Sequence, residues 1–255
     1  MKQIYLKLLA ENLEKKILSS KNFSKKPFDH LFIDNFLPNK FAKLCEKSFP
    51  NLKRNKWDHK KVDKIEIKYR SIWNSEFDIP ENIIDLVRVL NSSIILQTLS
   101  KVFNISKILP DPYFMGGGLN ISEKGGALGT HIDGNYNDQT GLNRRLNAII
   151  YLTKDWKKKY GGKLGLYNSN GKKLIKSIEP KFNRLLIFNT NDYSYHGITD
   201  EVNYPKTNPR KSIILYFYTK AKRKKSETKI SKPHSALWVK KNYKDHKNKL
   251  TRNYF

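Results

Sequence analysis

The sequence is poor in cysteine and in long apolar runs, and each shortage excludes a class of protein. Cys45 is the only cysteine among 255 residues, which excludes an intrachain disulfide and a metal site built from several thiolates. No apolar run approaches the ~20 residues of a membrane-spanning helix. We therefore expect a reduced, cytoplasmic setting and no membrane span.

Acidic side chains are also scarce. The chain has 23 Asp and Glu against 50 Lys and Arg, which gives a formal net charge of +27. Such a charge attracts nucleic acid, anionic membrane surfaces or acidic substrates. It also fits a simple compositional bias, because lysine, asparagine and isoleucine are abundant along the whole sequence. The charge bears on partners and not on the fold.

The first part of the chain is predicted to be helical and mixed. Residues 1–20 place apolar side chains at helical spacing, and PFDHLFIDNFLPNKFAKLCEKSFP indicates a short strand, a turn and a helix. The run Ile79–Phe103 has the clearest helical period and is predicted to form one helix. Residues 1–110 are therefore expected to form a support region packed on the rest of the domain.

After Pro110 and Pro112 the pattern changes to short β-like runs separated by turn residues. These runs are LNIS, ALGTHID, RRLNAIIYLT, KLGLYN, KLIKSIEP, NRLLIFN and RKSIILYFYT. Their number and spacing predict a compact β-sandwich or barrel over residues 111–219, with helices packed outside it. Residues 220–255 carry thirteen basic residues against two acidic ones, and we expect this tail to be loosely held.

A histidine and an acid stand two places apart in GTHIDGNYND. On a strand, His131 and Asp133 would project from the same face. His196 follows another predicted strand, and an antiparallel pairing could bring its imidazole to the same place. Two imidazoles and a carboxylate form the facial triad of non-haem iron oxygenases. Zinc hydrolases use the same ligand types. A single His-x-Asp sequence is also common on a solvated strand.

A basic residue in an apolar strand adds to this pattern. In NPRKSIILYFYT, Arg210 and Ser212 share one side of a strand whose other residues are mostly apolar. A guanidinium aimed into a barrel is costly unless an anion meets it, and its planar fork suits a carboxylate. A dicarboxylate such as 2-oxoglutarate could be held by the metal at one end and by Arg210 at the other.

The segments HIDGNYND, RRLNAIIYLTKDWKKKYGGKLGLYN, IEPKFNRLLIFNTNDYSYHGI and RKSIILYFYT, taken in this order, resemble the prolyl 4-hydroxylase type of Fe(II)/2-oxoglutarate oxygenases. The likeness is greatest to the hypoxia-sensing prolyl hydroxylases and their bacterial relatives, and it covers roughly residues 113–219. This resemblance implies a double-stranded β-helix (jelly-roll) core in an α+β chain, with His131, Asp133 and His196 as iron ligands.

The resemblance also implies how the cosubstrate is bound. Arg210, with Ser212 beside it, would bind the distal carboxylate of 2-oxoglutarate, and Tyr151 would donate its hydroxyl to the same group. The spacing from His196 to Arg210 is longer than in the family because VNYPKTNP is inserted. Lys211 is the other candidate clamp, but it should face the opposite side of the strand.

Two further departures concern the pocket lining. Family members often carry a tyrosine on the strand before the His-x-Asp pair, where this sequence reads LNIS, so Asn120 or Ile121 would line the pocket. Thr153 stands where asparagine is usual. Asn135 and Tyr136 are expected to be turn residues or substrate contacts. Arg144 and Arg145 are expected to form a solvated strand end, with the alternative that one of them reaches the pocket or the substrate.

The implied activity is hydroxylation of an unactivated C–H bond, with 2-oxoglutarate and O2 as cosubstrates and ascorbate as a candidate reductant. Asp133 favours hydroxylation over halogenation, because related halogenases have a small residue at that position. The expected substrate is a prolyl-type residue in a protein or peptide. The alternatives are a small metabolite or sugar precursor, or a basic nucleic-acid-binding protein whose metal site is vestigial or modifies bases. The sequence leaves the oligomeric state open.

Overall fold

The computed structural model describes residues 2–53, 57–62, 65–71 and 73–239. The α-helices of this part of the chain are α1 (Lys2–Leu18), α2 (Asn39–Lys47), α3 (Glu81–Leu90) and α4 (Ser93–Phe103). The strands are β1 (Phe23–Ser24), β2 (His30–Ile33), β3 (Trp57–Val62), β4 (Glu66–Ser71), β5 (Leu109–Pro110), β6 (Gly118–Ser122), β7 (Ala127–Leu128), β8 (His131–Ile132), β9 (Tyr136–Asn137), β10 (Leu142–Tyr151), β11 (Leu164–Tyr167), β12 (Leu174–Ile178), β13 (Arg184–Asn189), β14 (His196–Ile198), β15 (Arg210–Thr219) and β16 (Leu237–Trp238). Short 3-10 helices lie at Glu76–Asp78, Lys158–Tyr160 and Lys225–Glu227.

Two antiparallel sheets face each other. The larger sheet runs β1-β2-β13-β10-β15-β6-β4-β3, with β5, β7 and β9 paired at its margins, and the smaller one runs β12-β11-β14-β8-β16. The chain crosses back and forth between the two sheets: β10 lies in the larger sheet, the hairpin β11–β12 in the smaller, β13 in the larger, β14 in the smaller and β15 in the larger. This alternation is that of a double-stranded β-helix, and it confirms the predicted fold class.

The larger sheet carries apolar side chains on both faces, and each face packs against a different apolar cluster. Along β15, Ile213, Leu215 and Phe217 point to one side and join the apolar residues of all four helices in the main core. Ile214 points to the other side, towards a smaller apolar cluster that lies between the two sheets. Because side chains alternate along a strand, Arg210 and Ser212 share the face of Ile214 and lie inside the β-helix.

The best helical run of the sequence forms two helices. The single helix predicted over Ile79–Phe103 is wrong, because α3 and α4 meet at a bend of 52°. Ser92 causes the break: its backbone is extended, its hydroxyl caps α4 by accepting from Ile95 N, and it donates to Val89 O at 2.6 Å. No single helix in the described ranges is long and apolar enough to cross a membrane, although the bent pair reaches that length and composition together.

The support region also contains a β-hairpin, which the sequence pattern did not predict. β3 and β4 pair over six residues each, and β4 joins the larger sheet through β6 and β7. One face of the hairpin is charged, with Lys60, Lys68 and Arg70 in ion pairs to its own acids. The other face packs Trp57 and Tyr69 against the main core. β3 is apolar only at its two end residues, Trp57 and Val62, so it lacks the apolar alternation by which strands are recognised in a sequence.

The C-terminal segment is docked as far as Val239. Asp192 accepts hydrogen bonds from the backbone of Lys229 and Ile230 at 2.7 and 2.9 Å, and β16 forms the edge strand of the smaller sheet. The expectation of a loosely held tail is wrong for residues 220–239, because backbone pairing supplies the attachment that its few apolar side chains do not. The rest of that tail, residues 240–255, lies outside the described residues.

Candidate active site

The two histidines of the predicted site are neighbours in the smaller sheet. His131 on β8 pairs directly with His196 on β14, so both imidazoles leave the sheet at the same level. Their ring centroids are 4.3 Å apart, and both residues are buried. The sheet topology thus brings together two residues that are far apart in the sequence.

Asp133 completes the cluster. Its Oδ1 lies 3.6 Å from His131 Nε2 and 3.9 Å from His196 Nε2. One ligand atom from each of the three residues lies within 4.8 Å of the others, and all three side chains are buried. Three such atoms can occupy one face of a metal's coordination sphere and leave the metal's other coordination positions open.

Hydrogen bonds fix both imidazoles in the orientation that a metal requires. Nδ1 of His131 lies 2.9 Å from Gly129 O, and Nδ1 of His196 lies 2.9 Å from Ser194 O. A carbonyl oxygen only accepts, so Nδ1 carries the proton and the lone pair is on Nε2. Metal-ligating histidines are held in this way by a carbonyl or carboxylate behind the ring.

The charge states of these side chains also suit a metal. Burial and the adjacent His131 ring lower the pKa of His196 to about 4. Burial raises the pKa of Asp133, but His196, His131 and Arg144 outweigh it and hold that pKa well below its ordinary value. At neutral pH the site therefore presents a neutral His196 imidazole and a carboxylate, the forms that bind metal.

Asn147 orients the carboxylate from the opposite sheet. Its Nδ2 donates to Asp133 Oδ2 at 3.0 Å, which leaves Oδ1 facing the two imidazoles. Asn147 is buried on β10 and was not singled out in the sequence, where an asparagine in a strand carries no motif. Asn147 thus holds Asp133, the one predicted ligand that lies beyond the end of its own strand, β8.

We expect Asn147→Ala to weaken metal binding about 10-fold, because partners of ligating residues are typically worth 10- to 100-fold in metal affinity. Competition titration with a chelator and Co(II) would measure the change. Asn143→Ala is the matched control, since Asn143 lies on the same strand but donates to Lys220 O. Equal affinities in the two variants would contradict the assigned role.

A second cluster of polar residues lies inside the β-helix, around Arg210. The guanidinium is buried, and its Nε donates to Gly162 O at 3.0 Å. Its Cζ lies 5.1 Å from the centroid of the Tyr151 ring. Tyr151 is fully buried and faces Ser212 across the β10–β15 pair, and its hydroxyl donates to no acceptor within the described residues.

Tyr204 joins this group and was missed in the sequence. It lies in the inserted segment VNYPKTNP, is 2% exposed, and also has a hydroxyl without a protein partner in the described ranges. A β-carbon at Gly162 would lie 3.2 Å from Tyr204 Cε2 and 3.0 Å from Arg210 Cδ, so glycine allows both side chains to approach. Two unpartnered phenols beside one buried guanidinium can bind an anion.

Lys211 points away from this pocket. Its ammonium binds Glu46 Oε1 of α2 at 3.0 Å, on the helical side of the sheet. Asn120 lies in the row of Ser212 and is buried, with an unpartnered Oδ1, whereas Ile121 belongs to the main core. Of the two residues expected to line the pocket, Asn120 therefore lies on the pocket face of β6, and Ile121 lies on the opposite face.

The expectation of a solvated strand end at Arg144 and Arg145 is wrong, because both side chains are buried. The Arg144 guanidinium stacks on Tyr216 with Cζ 3.8 Å from the ring centroid, and its Nε donates to Tyr218. Aromatic faces and the nearby Asp133 carboxylate compensate the buried charge. Arg145 pairs with Glu227 at 3.2 Å.

The sequence model of the 2OG-Fe(II) oxygenase superfamily matches residues 117–218, which contain all the residues described above as metal ligands or anion contacts. Among curated proteins, the mouse prolyl 3-hydroxylase OGFOD1 is 32% identical over 79 residues, and its Xenopus laevis counterpart is 36% identical over 79 residues. These matches cover 29% of this chain and only 14% and 15% of the relatives.

Solved structures show the same fold over more of the chain. A prolyl hydroxylase from Trichoplax adhaerens, in complex with a hypoxia inducible factor peptide fragment, aligns with a TM-score of 0.58 and 19% identity over 85% of this chain and 91% of that one. A prolyl-4-hydroxylase from Pseudomonas putida aligns with a TM-score of 0.56 and 13% identity over 82% and 98%. At these identities the likeness establishes the fold.

Proposed function

Because this chain belongs to the 2OG-Fe(II) oxygenase superfamily, we propose that it hydroxylates an unactivated C–H bond of a prolyl-type residue in a protein or peptide. Family and donor set together imply Fe(II) and 2-oxoglutarate. The observation that carries the proposal is the convergence of His131, Asp133 and His196 inside the β-helix, with a buried guanidinium on the facing sheet.

His131, Asp133 and His196 would hold the iron. Their donor set of two imidazole nitrogens and one carboxylate oxygen suits Fe(II) and leaves positions open for substrates. With Fe(II) held by these three residues, the site would supply the activation of O2 that is coupled to conversion of 2-oxoglutarate into succinate and CO2. The two backbone carbonyls behind the imidazoles and the Asn147 amide keep the ligands oriented before the metal arrives.

Arg210, Tyr151 and Tyr204 would bind the distal carboxylate of 2-oxoglutarate, with Ser212 beside them. A carboxylate accepts up to about four hydrogen bonds, and this group offers the guanidinium and two phenols that lack protein partners. Burial raises the pKa of both tyrosines, with Arg210 opposing it, so both remain protonated donors at neutral pH. The anion would in turn neutralise the buried guanidinium.

Two considerations support a peptide substrate. The structural relative from Trichoplax adhaerens is a prolyl hydroxylase seen with a peptide fragment, and the curated relatives are prolyl 3-hydroxylases. A net charge of +27 would also favour an acidic segment over a basic one.

The test is to supply Fe(II), 2-oxoglutarate and air with proline-containing peptides, each matched by a peptide with alanine in place of proline. The proposal predicts gain of one oxygen atom on the proline peptides only, together with succinate formation above the uncoupled rate. Oxygen incorporated into a small metabolite instead would favour the alternative substrate class. Salt-sensitive binding of nucleic acid without any succinate would favour a binding protein.

We expect Tyr204→Phe to raise the KM for 2-oxoglutarate by roughly 10- to 30-fold, because one hydrogen bond to a charged group is lost, at about 1.5–2 kcal/mol. Thermal stability should hold or rise, since the buried hydroxyl has no protein partner in the described ranges. Tyr160→Phe is the control, because Tyr160 packs on Tyr204 with ring centroids 5.3 Å apart. An unchanged KM in Tyr204→Phe would remove this residue from the pocket.

A further inference from the structure

The last residues that the structure describes lie beside the strand that carries His131. β16 pairs antiparallel with β8, so that Leu237 lies opposite Ile132 and Trp238 opposite His131. The pairing continues one residue further, where Val239 N donates to Thr130 O at 2.9 Å. The segment Lys229–Val239, called the strap below, is thus attached to the strand that carries the first histidine.

Trp238 lies against the His131 ring. The two ring centroids are 4.5 Å apart with an angle of 30° between the planes, and His196 lies 4.3 Å from the same imidazole. A β-carbon at Gly129 would lie 3.4 Å from Trp238 Cε3, so the indole also covers the backbone beside the ligand. Rotation of the His131 ring about its Cβ–Cγ bond therefore requires displacement of Trp238.

The strap is held from the residues next to Asp133. Asn135 Nδ2 donates to Lys232 O at 3.1 Å, and Asn135 Oδ1 accepts from His234 N at 2.9 Å. Asn135 N donates to His234 O at 3.1 Å. At Gly134 a β-carbon would lie 2.9 Å from His234 O, so a side chain there would force the strap away. Asn135 acts as an anchor for the strap, which was neither of the roles expected from the sequence.

The same segment is held from the loop before the second histidine. Asp192 is fully buried and accepts from Lys229 N and Ile230 N. The strap therefore contacts the sequence neighbours of all three ligands: Thr130 beside His131, Gly134 and Asn135 beside Asp133, and Asp192 in the loop that leads to His196. Such contacts couple docking of the strap to the geometry of the ligands, and the coupling is reciprocal.

We propose that the strap is part of the metal centre, and that Trp238 is a positioning residue that holds the His131 imidazole in its metal-binding orientation and slows metal loss. This inference rests on the proposed role of the triad as the metal site. It predicts that metal binding and strap docking stabilise each other. Trp238 makes no bond to the metal, and its contribution is to restrict the ligand ring and to cover one side of it.

The experiment compares the full-length chain with Trp238→Ala, Trp238→Phe and Asn135→Ala, using Co(II) as the probe and a chelator to start its release. We expect release to be about 10-fold faster in Trp238→Ala, close to wild type in Trp238→Phe, and accelerated in Asn135→Ala. Equal release rates in wild type and Trp238→Ala would overturn the inference. The conservative phenylalanine variant separates loss of the ring contact from a general loss of folding.

Two further readouts do not depend on turnover. Co(II) should quench the fluorescence of Trp238, and this quenching should disappear in Trp238→Phe but persist in Trp57→Phe, since Trp57 packs on Phe49 in the support region. Co(II) should also slow tryptic cleavage after Lys229, at the start of the strap, in wild type, and Trp238→Ala should lose that protection. Quenching that persists without Trp238, or cleavage indifferent to Co(II), would contradict the inference. Failure of the wild type to bind Co(II) would instead contradict the metal site itself.

Discussion

Asp133→Ala and His131→Ala are each expected to abolish formation of succinate from 2-oxoglutarate. Each change removes one of three protein ligands, and the facial arrangement cannot be completed by water without loss of affinity. We expect metal affinity to fall by more than about 100-fold, beyond the range typical of residues that only support a ligand. Anaerobic loading with Fe(II) and 2-oxoglutarate, followed by air and quantification of succinate, measures the effect without knowledge of the substrate.

His59→Ala is the matched control for the histidine variant. His59 is exposed on β3 and stacks on Tyr69, with ring centroids 4.1 Å apart, in the hairpin of the support region. Its removal should leave succinate formation unchanged. Wild-type turnover in Asp133→Ala or His131→Ala, in protein that is folded by circular dichroism, would contradict the assignment of the ligands.

The second large effect is expected for Arg210→Ala, which should raise the KM for 2-oxoglutarate by roughly 30- to 150-fold. This range corresponds to about 2–3 kcal/mol, the loss typical when one partner of a buried, hydrogen-bonded charge pair is removed. Metal binding should change little, because Arg210 belongs to the larger sheet and the triad to the smaller one with its adjoining loop. Initial rates over a wide range of 2-oxoglutarate concentrations would separate KM from kcat.

Lys211→Ala is the matched control for Arg210→Ala. The neighbouring cation is on the same strand, but it pairs with Glu46 on the other side of the sheet. Its loss should affect stability and leave the KM for 2-oxoglutarate unchanged. A large rise in KM for Lys211→Ala, with none for Arg210→Ala, would exchange the roles of the two residues.

The parts of the site that sequence reasoning found are those that depend on short-range geometry. The two-residue period of a strand places Arg210 and Ser212 on one face of β15. Asp133 lies one residue past the end of β8, and its carboxylate still faces the His131 ring. A charged residue in an otherwise apolar strand indicated Arg210 by the cost of burying it. Pairing of His196 with His131 required the topology, which the family resemblance supplied.

The parts that it missed depend on contacts between distant segments. Asn147 reaches Asp133 from the opposite sheet, Tyr204 enters from an insertion, and Trp238 arrives from the tail. None of these residues belongs to a spaced motif, so no local pattern marks them. The burial of Arg144 was missed for a related reason, because the aromatic ring that accommodates it, Tyr216, is on another strand.

We expect joint binding of one metal and one 2-oxoglutarate, side by side between the two sheets. Its most direct test is to add 2-oxoglutarate anaerobically to the Fe(II)-loaded protein and record the visible charge-transfer absorption of a chelated 2-oxo acid. We expect this absorption in wild type at one equivalent each of metal and 2-oxoglutarate, and its absence in Asp133→Ala. Folded wild-type protein that takes up Fe(II) and 2-oxoglutarate without this absorption would contradict the account.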